Sequence, residues 1–213
     1  MKYSDLVIEW LKELGYTHCF FVAGGNIMHL LDGIRTRMVC VPVVHEVAAG
    51  IAVEYFNESA QPGERAFAMV TAGPGLTNIV SAIAGAYLES RELLVLGGQV
   101  KSTDLKDETI RQRGIQEVDG VAIVRPITVA AQRIERPVDR KTFADLVERG
   151  RTGRKGPVFL EFCLDAQGAP VDRATLERGG TSNGVASKVV DVARDSAPKV
   201  AAMVRAAERP VFL

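Results

Sequence analysis

AFAMVTAGPGLTNIVSAIAGAYLESRELLVLGG, residues 66–98, decides how this chain folds. Its first six residues are an apolar run of strand length, and AGPG then turns the chain. From Leu76 to about Leu88 the apolar residues recur at helical spacing, and ELLVLGG is a second strand-like run ending in glycines. A helix between two buried strands means parallel pairing, with helices covering both faces of the sheet.

The alternation continues outward in both directions. Toward the N-terminus, Ser4 is positioned to cap a helix whose Leu6, Val7, Trp10, Leu11 and Leu14 fall on one face before Gly15. His18 to Val22 reads as a strand, AGGN as a turn into a helix from about Ile27, MVCVPVV (38–44) as a strand, and Glu46 to Ser59 as a helix. Toward the C-terminus, the polar run KSTDLKDETIRQRG (101–114) is long enough for a functional loop. Regularity returns at about Val118, with a helix from Arg140 to Arg149 and a strand PVFLEF at 157–162. The fold class expected is α/β, a doubly wound and mainly parallel sheet.

Residues 165–187 are rich in Gly, Ser, Thr, Asp and Arg, the chemistry of a linker. The expected organisation is a first domain over 1–165, a linker over 166–187, and the beginning of a second domain over 188–213. The last segment reads as a helix feeding a strand that starts at Pro210 and stops with the chain, which leads us to expect a truncated or split second domain.

Lys plus Arg equals Asp plus Glu at 26 each, so no global field favours nucleic acid or an anionic membrane as partner. Asp5 and Glu9 interrupt any signal-peptide core, and no apolar run approaches the roughly 18 residues of a membrane span. A soluble, cytoplasmic protein is expected. Cys19, Cys40 and Cys163 share no metal-ligand spacing and read as buried thiols.

In an open parallel sheet, ligands bind where loops leave the carboxyl ends of the strands. Three loops here have that placement. Ala23-Gly24-Gly25-Asn26 strips side chains from a strand-to-helix junction, either to admit a flat ring or merely to turn the chain. His45-Glu46 puts a carboxylate at a helix start, where it either does chemistry or complements the helix dipole. Thr71 to Asn78, TAGPGLTN, has a rigid Gly73-Pro74-Gly75 turn but lacks the lysine that a P-loop requires. The first glycine loop also lacks the G-x-G-x-x-G of a dinucleotide-binding domain.

In order, GG, HE, GPG-x-TN, GGQV and QE resemble the pyrimidine-binding (PYR) domain of the thiamine-diphosphate enzymes of the acetolactate synthase and pyruvate oxidase group, over residues 4–165. The resemblance implies a six-stranded sheet and a thiamine diphosphate cofactor. Glu46 aligns with the glutamate that hydrogen-bonds N1′ of the aminopyrimidine; protonation there makes the 4′-amino group acidic enough to become the imine that activates the thiazolium. Gly24, Gly25, Pro74 and Asn78 align with cofactor-side residues, and Gln116 with Glu117 aligns with a pair lining the site. His45 is expected to be structural.

Three residues depart from the synthase pattern: Ala23 for proline, Asn26 for a small residue, and Ile115 for phenylalanine. With Gln116, Asn26 and Ile115 are the expected substrate-pocket residues, and they leave the acceptor open.

By the same resemblance, Mg²⁺ and the diphosphate belong to a PP domain that these residues lack, so no metal site is expected here. FAD, bound by the central domain in some members, stays open. The implied reaction is decarboxylation of a 2-oxo acid, pyruvate foremost, with transfer of the two-carbon unit to an acceptor. The implied partner is a second subunit, in a homodimer or tetramer, or a separate PP-domain chain, and this chain alone is expected to be inactive. Two alternatives stand beside this reading: a specialised carboligase or decarboxylase of the same family, and a non-catalytic PYR-like dimerisation module.

Overall fold

The structure is a computed structural model that describes residues 1–178 and 192–207, the latter without side chains before residue 198. Two units divide the chain, Met1–Gly180 and Thr181–Leu213. In the first, β1 (Tyr16–Phe21), β2 (Val39–Pro42), β3 (Arg65–Val70), β4 (Leu93–Gln99), β5 (Ala130–Ile134) and β6 (Pro157–Cys163) form one sheet. Its order is β2-β1-β3-β4-β6-β5, and every pairing is parallel. The doubly wound sheet read from the sequence is therefore the fold.

The helices of this unit are α1 (Tyr3–Glu13), α2 (Met28–Ile34), α3 (Glu46–Ser59), α4 (Pro74–Leu88), α5 (Gly120–Val124), α6 (Arg140–Glu148), α7 (Leu164–Gly168) and α8 (Arg173–Glu177). The second unit contributes α9 (Val192–Ala206). Among the described residues no helix is long and apolar enough to cross a membrane.

Side chains alternate across the central strands and make two cores. Phe67, Met69, Leu94, Leu96, Leu160 and Phe162 face α1, α2 and α6, where Trp10, Leu30 and Phe143 fill the space. Ala66, Ala68, Val70, Leu93, Val95 and Phe159 face α3, α4 and α5. The second face uses smaller residues, so α3 and α4 lie close to the sheet and to each other. A Cβ added to Gly50 of α3 would come within 2.4 Å of the Cβ of Ala82 on α4.

Three local readings are corrected. Ser4 does not cap α1: the helix begins at Tyr3, the Asp5 carboxylate accepts from the Lys2 backbone N–H at 3.3 Å, and Ser4 is buried with no partner for its hydroxyl among the described residues. The sequence reading placed no strand at Ala130–Ile134, yet β5 forms the sheet edge beside β6. The segment expected to begin the linker instead carries α7 and α8, with Ala166 and Gln167 buried and Arg173 bridging Glu9 and Glu13 at 2.7 and 3.2 Å. The rest of that expected linker and the strand expected from Pro210 lie outside the described residues.

Two glycine substitutions test the α3–α4 packing with opposite signs. Gly50→Ala is expected to destabilise the chain by about 1–3 kcal/mol, because the new methyl overlaps Ala82. Gly85→Ala, where a Cβ meets no atom within 4 Å, is expected to stabilise α4 by about 0.5–1 kcal/mol. Urea denaturation midpoints of the two variants check this; a stable Gly50→Ala chain contradicts it.

Candidate functional site

The carboxyl ends of β1, β2, β3 and β4 release the loops that carry the sequence-predicted residues. Glu46 is the first residue of α3, reached directly from β2 through His45, whose Nδ1 accepts from the Val47 N–H at 3.3 Å. Histidine here caps the helix and so orients the carboxylate that follows. Glu46 thereby stands at the N-terminal end of the α3 dipole.

Glu46 is only 7% exposed. Asn78, one turn into α4, donates from Nδ2 to its Oε2 at 2.9 Å. Oε1 accepts no hydrogen bond from the described residues and lies beside Gly75, where a Cβ would stand 3.4 Å from it. A buried carboxylate with one oxygen held and the other facing a glycine can exchange a proton with a group brought against that oxygen.

Gly24 and Gly75 flank Thr71, the residue at the end of β3. A Cβ on Gly24 would fall 2.4 Å from the Thr71 Cβ, so the glycine loop is pressed against the strand end. The Thr71 hydroxyl is buried and finds no partner among the described residues. Nothing in the TAGPGLTN sequence singles out Thr71; its place between two glycines is visible only in three dimensions. A Cβ on Gly25, by contrast, meets nothing within 4 Å, so the fold itself does not demand glycine there.

The predicted pocket residues come together around the 101–117 loop. Gly73 has φ +63°, and a Cβ there would lie 2.5 Å from the Gln116 carbonyl oxygen; glycine is needed on both counts. Gln116 itself sits at φ +60°, an uncommon conformation for a side-chain-bearing residue, and is pressed onto the GPG turn that Pro74 stiffens. Asn26 reaches the Ile115 carbonyl through Nδ2 at 3.5 Å. Ile115 is 81% exposed and so presents an apolar side chain to solvent among the described residues.

Glu117 differs from its expected role. Its carboxylate accepts backbone N–H bonds from Lys106 at 2.5 Å, Arg113 at 2.9 Å and Gly114 at 3.1 Å, and is therefore committed to shaping the loop. Burial opposes its charge, but these three donors outweigh burial and lower its pKa below the ordinary glutamate value. Among the described residues no group of three or more His, Cys, Asp or Glu side chains is arranged to hold a metal ion.

With this geometry in view, residues 1–123 match the family described as thiamine pyrophosphate enzyme, N-terminal TPP binding domain. The chain belongs to that family. It is 36% identical over 177 residues to the acetolactate synthase large subunit of Lactococcus lactis, covering 82% of this chain and 28% of that protein. It is 28% identical over 213 residues to the acetolactate synthase isozyme 1 large subunit of Escherichia coli, covering 98% of this chain and 36% of that one. It is also 31% identical over 165 residues to the 2-hydroxyacyl-CoA lyase 2 of Caenorhabditis elegans, covering 76% and 24%. The chain thus spans roughly a quarter to a third of the length of these relatives.

The Glu117 staple carries a pH signature. A depressed folded-state pKa means that the loop's stabilisation is complete above the unfolded glutamate pKa and is lost as pH falls through the lowered value. Amide exchange, corrected for intrinsic rates, is expected to show the amides of residues 106, 113 and 114 protected at neutral pH and released on the acid side of the ordinary glutamate range. Glu117→Gln is expected to release the same amides at neutral pH; protection unchanged by that substitution contradicts the staple.

Proposed function

We propose that this chain is the aminopyrimidine-binding, cofactor-activating half of a thiamine-diphosphate enzyme that decarboxylates a 2-oxo acid, pyruvate foremost, and transfers the two-carbon unit to an acceptor. One observation carries the reading: Glu46 is a buried carboxylate with Oε2 held by Asn78 and with Oε1, beside Gly75, accepting no hydrogen bond from the described residues. The residues present fit the cofactor. A Cβ on Gly25 meets no described atom within 4 Å, Gly75 keeps a side chain away from Glu46 Oε1, and Gly24 lets its loop press onto Thr71.

When bound, thiamine diphosphate supplies the carbon nucleophile that this chain lacks. Glu46 Oε1 would hold and return the proton at the ring nitrogen, Asn78 fixes the carboxylate's rotation, and Gly24, Gly25 and Pro74 would line the cofactor side. Asn26, Ile115 and Gln116 are assigned to the substrate side. Ile115 in place of the family's phenylalanine, together with the similarity to a lyase, supports an acceptor other than a second 2-oxo acid as the second reading.

Mg²⁺ and the diphosphate are assigned to a PP domain outside these residues, in a second subunit or a separate chain, and FAD to the central domain if it is used. The PYR domain is assigned to residues 1–165 with α7 and α8 packed onto it, followed by a linker and the start of the central domain. The three free cysteines suit a reducing cytoplasm.

For the subunit contact we assign the outer faces of α3 and α4, where Ile51, Tyr55 and Leu88 are exposed while Ala49 and Gly50 point inward. Ile51→Asp with Tyr55→Asp is expected to give monomers on sedimentation of the complete protein; an unchanged oligomer argues against this contact.

Glu46→Gln keeps a hydrogen-bonding side chain but cannot carry the proton. In the complete enzyme, supplied with thiamine diphosphate and Mg²⁺, turnover of a 2-oxo acid is expected to fall by roughly 10²–10⁴-fold with the fold intact. Activity within a few-fold of the parent sinks the assignment.

A further inference from the structure

Helix α7 lies beyond the residues that match the family, yet two of its side chains reach the two loops at the rim of the site. Gln167 is fully buried, and its Nε2 donates to the backbone carbonyl of Asn26 at 2.7 Å and to that of Phe162 at 3.0 Å. Two carbonyl acceptors require two N–H donors, which fixes the orientation of the amide and leaves its Oε1 buried without a partner among the described residues. A side chain serving only to fill volume would be apolar here, so the amide is accounted for by the two bonds that it donates. The Asn26 carbonyl is enclosed from the other side by Gly98 at the end of β4, where a Cβ would fall 2.2 Å from it.

Asp165, two residues earlier, receives the Ser102 backbone N–H at 2.9 Å and the Ser102 hydroxyl at 2.5 Å. Ser102 opens the 3₁₀ turn Ser102–Asp104 at the start of the 101–117 loop, and Asn26 lies in the 3₁₀ turn Gly25–Ile27. Helix α7 packs against both turns. The side chain of Asn26 then contacts the Ile115 carbonyl at the far end of the loop, which closes the circuit.

We propose that α7 is a brace and that Gln167 and Asp165 are positioning residues, holding the Gly24–Asn26 loop and the 101–117 loop at a fixed separation across the substrate side of the site. The bracing follows from these contacts alone; its consequence for substrate rests on the function proposed above.

The test has one arm for each part. In the first, amide exchange of the chain is followed for Gln167→Met, Gln167→Glu, Asp165→Ala and Asp165→Asn. Gln167→Met removes both donors at similar volume, and amides of residues 24–27 are expected to exchange roughly tenfold faster, while those of β3 and β4 are unchanged. Gln167→Glu sets a carboxylate against two carbonyls and is expected to act more strongly. Asp165→Ala is expected to release residues 102–105, with protection largely restored in Asp165→Asn, which keeps an acceptor. Unchanged exchange at 24–27 in Gln167→Met overturns the brace.

In the second arm, the complete enzyme carrying Gln167→Met is expected to show a KM for the 2-oxo acid raised roughly tenfold with kcat within about twofold. A fall in kcat at constant KM overturns the substrate-side role. Should the parent enzyme turn over no 2-oxo acid, the function proposed above fails, and the exchange arm still decides the brace.

Discussion

Everything near the site depends on keeping a carboxylate buried at the start of a helix. An ionised Glu46 out of water is costly unless hydrogen bonds and a favourable field replace its hydration. Here Asn78 supplies the bond and the N-terminus of α3 supplies the field. That bond exists only because α3 and α4 cross closely, and they cross closely only because Gly50 meets Ala82 above strand residues as small as Ala66 and Ala68. The composition of one face of the sheet is thus a condition of the geometry of one carboxylate.

The second condition is set by the loops. Glycines at 24, 73, 75 and 98 sit where a side chain would strike Thr71, Gln116 or the Asn26 carbonyl, or crowd the Glu46 carboxylate. Each removes a side chain at a junction, and together they let three loops from different strands meet. The 101–117 loop closes the assembly and spends Glu117 on its own amides to do so. Its rim is then tied to the sheet through α7.

Much of this was legible in the sequence. The α3 boundaries at Glu46 and Ser59 and the run of alternating helices and strands follow from periodicity, and the juxtaposition of Glu46 with the GPG-x-TN loop follows from the family resemblance. Other features were not, for identifiable reasons. Strand β5 lies at an edge with only Ala130 and Ile134 buried, and it contains Arg133, which bonds the buried Glu161 at 2.6 Å; its period-two signal is swamped by polar residues. Asp165 and Gln167 sit in a stretch of linker composition, and nothing local distinguishes a buried amide from a solvated one. Ser4 looked like a cap because the type is right, but the helix begins one residue earlier, at Tyr3, and Ser4 lies buried inside its first turn.

The central claim is that Glu46 Oε1 meets the aminopyrimidine ring. A crystal structure of the complete protein with thiamine diphosphate and Mg²⁺ tests it most directly. We expect a ring nitrogen within about 2.6–3.2 Å of Oε1, with Asn78 still on Oε2. A pyrimidine ring bound away from Glu46, or an Oε1 bonded only to protein groups in the loaded enzyme, would contradict the account.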